Sequence, residues 1–105
     1  MNRENSLKQI QKLVDDWIKQ HGGYWPPLSM LSAIMEELGE LSREINFLEG
    51  YKPKNIEIKK SNLKEEIADL LYSIICIANY YKVDLDSELN KVIKKYSKRD
   101  SERFS

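Results

Sequence analysis

Apolar residues recur with helical spacing in four stretches of the chain. Leu7, Ile10, Leu13, Val14, Trp17 and Ile18 form one stripe of a helix with period 3.6. Asn2 or Asn5 is expected to cap its start, and Gly22-Gly23 to end it, because glycine adopts the left-handed C′ conformation at little cost. Tyr24-Trp25-Pro26-Pro27 reads as a stiff aromatic connection, with Pro27 suited to the first turn of the next helix. That second helix is predicted over Leu28 to Leu48. Leu28, Leu31, Met35, Leu38, Ile45 and Leu48 form its apolar face, with Ile34 and Leu41 beside it.

The stretch from Glu49 to Ser61 holds Gly50, Pro53 and four lysines, and reads as a solvated loop. Asn62-Leu63-Lys64-Glu65 resembles a capping box opening a third helix, Leu63 to about Tyr81. The second half of that helix, LLYSIICIANYY, is apolar nearly all round, which predicts burial on most sides. A fourth helix starts near Asp84 or Asp86, carries Leu85, Leu89, Val92, Ile93 and Tyr96 on one stripe, and ends in a basic tail. The expectation is an all-α fold, a four-helix bundle forming a single domain over residues 1–105. Four short helices bury limited area, so completion by homo-oligomerisation, as a homodimer or homotetramer, is expected.

Charge then narrows the function. Lys plus Arg equals Asp plus Glu at 17 each in 105 residues, and this balance argues against a general nucleic-acid binder. No apolar run reaches the roughly 18 residues of a membrane span. The polar N-terminus shows no export signal, and the lone Cys76 cannot form an internal disulfide, so the expected compartment is cytoplasmic.

The carboxylates carry the candidate chemistry. Glu37, Glu40 and Glu44 fall on one ridge of the second helix, with Glu36 beside them, and Glu66 and Asp69 repeat an i, i+3 pair on the third. Two such ridges facing each other would be unfavourable unless a cation or protons filled the gap. Hard divalent ions such as Mg²⁺ take this kind of oxygen ligand together with substrate phosphates. Solvated charge is the plain alternative for the four glutamates taken alone. Asp69 counts against it, because a carboxylate beside Leu70-Leu71 is rarely left unpaired. A salt bridge to a lysine is the competing explanation for Asp69. A di-iron site would need Glu-x-x-His pairs, and the sole histidine, His21, sits at a helix end; zinc is disfavoured by a single His and a single Cys.

Glu36-Glu37-Leu38-Gly39-Glu40, followed after 25 residues by Glu66-Ile67-Ala68-Asp69, resembles the EExxE…ExxD signature of MazG-like nucleotide pyrophosphohydrolases. The flanking segments YWPPLSMLSAIMEELGELSREIN, EEIADLLYSIICIAN and VDL…KVIKKYSKRDSERF extend the resemblance over Tyr24 to Phe104. It implies Mg²⁺-dependent hydrolysis (Mn²⁺ as a possible substitute) of a nucleoside triphosphate to the monophosphate and pyrophosphate, in nucleotide-pool housecleaning. It also implies Glu37, Glu40, Glu66 and Asp69 as metal ligands, with Glu36 a further ligand or the base that orients the attacking water.

Lys91, Lys95, Arg99 and Arg103 are candidates to meet the triphosphate tail, against the alternative of a solvated basic helix end. Trp25 is a candidate to stack on the base, against a hydrophobic staple or a dimer contact. Asn79 is expected to satisfy buried backbone, against the alternative of a hydrogen bond to substrate across a subunit interface, and Tyr72 and Ser73 could hold the Asp69 carboxylate. Two readings compete with catalysis: a non-catalytic helical oligomerisation module, and a regulatory module that binds nucleotide without cleaving it.

Overall fold

The structure is a computed structural model that describes residues 6–50 and 62–104, with side chains up to residue 101. It contains four helices: α1 (Leu7–Gln20), α2 (Pro27–Leu48), α3 (Leu63–Tyr80) and α4 (Leu85–Phe104). There is no strand among the described residues. The all-α expectation holds: α2 and α3 start and stop within one residue of their expected limits, and α4 begins at Leu85, between the two expected residues. No described helix is long and apolar enough to cross a membrane. Residues 51–61 of the expected solvated loop lie outside the described residues.

The helix ends follow from local chemistry. Asn2 and Asn5, the expected caps of α1, lie outside the described residues, and the cap is found elsewhere. It is Ser6: its hydroxyl accepts from Gln9 N–H at 3.1 Å, and Gln9 Oε1 accepts from Ser6 N–H at 2.7 Å. This reciprocal pair satisfies two of the donors that a helix start leaves without partners, which a lone asparagine two to five positions upstream of Leu7 would not. At the other end Gly22 takes φ 104°, and Gly23 N–H reaches back to Ile18 O at 2.9 Å. α2 opens with Pro27 in its first turn, as expected. α3 opens where predicted, with Glu66 N–H donating to Asn62 O at 2.9 Å.

α3 closes with the same i→i−5 bond but without a glycine. Val83 N–H bonds Ala78 O at 2.8 Å and Lys82 N–H bonds Asn79 O at 3.1 Å, the paired closure of a Schellman motif. The position that must be left-handed is held by Lys82, at φ 58°.

The described residues divide into two packed groups. One comprises residues up to 23 together with those from 78 onward, and the other residues 24–77. In the first, α1 packs on the start of α4 and the last turn of α3, with Gln11, Ile18 and Ala78 buried. Asn79 satisfies buried backbone as expected, donating through Nδ2 to Gln11 O at 2.9 Å. In the second, Met30 of α2 and Ile75 and Cys76 of α3 are buried. Cys76 fills core, as its sequence context suggests. A hydrogen bond joins it to Tyr72, and burial pushes both the thiol and the phenol above their ordinary ranges.

The apolar face predicted for α2 is not the face turned inward. Leu28, Leu31, Met35, Leu38, Ile45 and Leu48 are all 46% exposed or more, while the inward side carries Met30, Ile34, Glu37, Leu41 and Glu44. Periodicity locates an apolar stripe; it does not say which of two adjacent stripes meets the neighbouring helix. α3 likewise leaves Ile67, Leu71 and Ile74 exposed, although its composition predicted burial on most sides.

A non-glycine residue in the left-handed region is strained by about 1 kcal/mol. Lys82→Gly should therefore raise stability by about 0.5–1 kcal/mol, less what glycine adds to the freedom of the unfolded chain. Lys82→Val should lower it. Thermal melts of the two variants, expected to move in opposite directions, check this.

Candidate metal centre

α2 and α3 each contribute carboxylates to one point. Glu37 projects from the inward side of α2, and Glu66 and Asp69 lie one turn apart on α3. One ligand oxygen from each of the three lies within 4.8 Å of the others. Glu37 and Glu66 are half-buried. Partial burial raises the Glu66 carboxyl above its ordinary value of 4.5, and Glu37, Glu40 and Asp69 push it the same way. Glu37 also hydrogen-bonds it, so the protonated form of Glu66 is the one this geometry stabilises.

The donor set suits a hard divalent cation. Three carboxylates offer oxygen and nothing softer, and they converge from elements held apart by their own backbones. A proton on Glu66 relieves part of the repulsion, and a cation would relieve it further by drawing charge from all three groups.

The other candidates stand as follows. Glu40 lies close enough to act on Glu66 electrostatically, yet its own carboxylate pairs with Arg43 at 3.1 Å. Glu36 is exposed, about 100° round the helix from Glu37, and is not among the three converging groups. Glu44, grouped with the other glutamates as candidate solvated charge, is instead 1% exposed. Its place two turns beyond Glu37 on the inward side is visible in the sequence, but its burial depends on what packs there.

Trp25 is 66% exposed in the connection before α2, so most of its ring is open rather than packed as a staple. On α4, Lys91 pairs with Glu88 at 3.3 Å and Arg99 with Asp100 at 3.2 Å. Lys95 and Arg99 both lie over the Tyr96 ring, at 5.3 and 4.6 Å from its centre. These cations are exposed and, among the described residues, are engaged by near neighbours on their own helix. The Arg103 side chain lies outside the described residues. Gln11, buried at 7% exposure, is a residue that sequence reasoning passed over, because it sits unmarked inside an otherwise apolar stripe.

Comparison with known proteins identifies the family and the fold. The profile described as the MazG nucleotide pyrophosphohydrolase domain matches residues 26–104. YpjD, an uncharacterized protein of Bacillus subtilis strain 168, is 38% identical over 103 residues, covering 97% of this chain and 93% of its own length. The crystal structure of the B. subtilis protein YpjD, described as a candidate pyrophosphatase, superposes with a TM-score of 0.79 at 38% identity, covering 90% of this chain and 96% of that one. A Bacillus-conserved MazG protein described as a nucleotide pyrophosphohydrolase gives a TM-score of 0.76 at 35% identity, over 90% of this chain and 93% of that one.

The raised Glu66 value sets a sign for stability. A carboxyl whose folded value lies above its unfolded one favours the fold most below the unfolded value, about 4.5, and that contribution is lost as pH rises through the folded value. Metal-free Glu66→Gln should therefore gain stability relative to the parent as pH rises from 4 towards 8. Denaturant melts of both in chelator test it; parallel pH profiles would count against the arrangement.

Proposed function

Because the chain belongs to the MazG nucleotide pyrophosphohydrolase family, we propose that it hydrolyses a nucleoside or deoxynucleoside triphosphate to the monophosphate and pyrophosphate, with Mg²⁺ as its cofactor and Mn²⁺ as a possible substitute. The observation that carries this reading is the convergence of Glu37, Glu66 and Asp69 within 4.8 Å. In the proposal these three hold the ion, and Glu40 joins them by exchanging its bond to Arg43. When bound, a divalent ion neutralises phosphate charge and acidifies the attacking water.

The protein's own contribution is position. Two helices fix Glu37, Glu66 and Asp69 before substrate arrives, so of the proposed ligands Glu40 alone has to change partner. Glu36, exposed and next to Glu37, is available to orient the water as a base. Lys91, Lys95, Arg99 and Arg103 of α4 are assigned to the triphosphate tail, supported by their exposure where described. Trp25 is assigned to the base on the same ground. The proposed role is removal of unwanted nucleotides from a cytoplasmic pool.

We also propose that the protein works as a homo-oligomer, a dimer or a tetramer. Leu31, Leu38 and Ile45 recur every seven residues on α2, with Leu28 and Met35 interleaved, which is the spacing of a helix–helix seam. All five are exposed, and a continuous exposed apolar stripe of this kind is the mark of an interaction surface.

Two experiments test these readings. A panel of canonical and modified triphosphates with Mg²⁺ should give monophosphate plus pyrophosphate. Glu37→Gln and Asp69→Asn should stay folded and lose about a hundredfold or more in turnover. Orthophosphate plus diphosphate would overturn the assigned bond, and no turnover by folded protein would favour a binding or scaffold role. For assembly, light scattering should give a multiple of the 12.4 kDa chain mass, and Leu38→Glu should reduce it; a parent of single-chain mass would refute the oligomer.

A further inference from the structure

α1 lies outside the residues matched by the family profile, which begin at 26, yet one of its side chains is built into the corner between α3 and α4. Gln11 uses both ends of its amide. Nε2 donates to Asn79 Oδ1 at 3.0 Å and to Val83 O at 2.8 Å, and Oε1 accepts from Leu85 N–H at 2.9 Å. Leu85 is the first residue of α4, so this last bond satisfies one of the donors left open at that helix start. α4 returns the contact, with Asp86 Oδ2 accepting from Lys8 N–H in the first turn of α1 at 2.9 Å. Each helix thus caps the other.

Gln11 shares the buried side of α1 with Ile18, where leucine would fill the space without the cost of desolvating an amide. What leucine lacks is the ability to hold the last turn of α3, the left-handed turn at Lys82 and the start of α4 in one geometry. We propose that Gln11 is a positioning residue: by fixing how α4 leaves this corner it sets where Lys91, Lys95 and Arg99 stand when a triphosphate binds. The inference rests on the reading of α4 as the helix that meets the phosphates.

The test uses the full chain and the triphosphate it hydrolyses fastest, with Lys91→Ala as the yardstick for phosphate contact. Gln11→Leu removes all three side-chain bonds. Gln11→Glu keeps the acceptor for Leu85 but sets a carboxylate against Asn79 Oδ1 and Val83 O, and regains a donor only when protonated. At pH 8 both variants should raise KM about three- to tenfold, the equivalent of one neutral hydrogen bond, with kcat nearly unchanged. The Gln11→Glu deficit should shrink towards pH 6 while the Gln11→Leu deficit stays, a signature that loss of packing would not produce. Because that comparison is made within one protein, it holds even if Gln11→Leu fails to fold. Amide exchange at Leu85 should quicken in both variants at pH 8. A KM that rises in Lys91→Ala but not in the Gln11 variants overturns the positioning role. A KM unmoved in all three overturns it through the reading of α4, and equal losses in kcat and kcat/KM across pH reduce Gln11 to a structural residue.

Discussion

Carboxylates from two helices are forced into one small volume, and the packing of residues 24–77 has to hold them there. Glu37, Glu66 and Asp69 would separate if α2 and α3 were free to turn, since like charges at this range repel. Burial of Met30, Ile75 and Cys76 opposes that separation. The unfavourable electrostatics are felt at Glu66, whose carboxyl is raised by partial burial and by its acidic neighbours. A cation taken up at such a preformed cluster would not have to assemble it, and in the proposed reaction its attraction would be spent on substrate rather than on folding.

α2 carries two apolar stripes side by side, and the fold uses them differently. The inner one mixes Met30, Ile34 and Leu41 with Glu37 and the buried Glu44, so it joins packing to chemistry. The outer one is apolar except at Ser42, and its large side chains are exposed in the single chain. A helix with only one stripe could hold its neighbour and no more; the second stripe on α2 is what the proposed assembly would use.

The features legible in the sequence are those fixed within one helix. The i, i+3 spacing of Glu66 and Asp69 puts them on one face whatever else the chain does, and Gly22-Gly23 ends α1 for a reason local to glycine. That Glu37 faces them, that Glu44 is buried beside solvent-facing Arg43, and that Leu38 is not core are all properties of how two helices are turned relative to each other. Gln11 was unreadable for a similar reason. Its partners lie 68 to 74 residues away, and no spacing rule reaches that far. The cap at Ser6 is the exception: Ser-x-x-Gln is a local signal that a search for asparagine passed by.

The pairing of Cys76 with Tyr72 has a practical consequence. The thiol is free, buried, and held by burial in its protonated, unreactive form. As the chain has no other cysteine, a maleimide or disulfide reagent can report only on this one point in the interior of the 24–77 group. The rate of labelling then counts excursions in which α3 exposes its core side, and it reads their free energy directly wherever closing outpaces the reagent. The chain thus carries its own clock for local opening, placed seven residues along α3 from Asp69 and needing no engineered label.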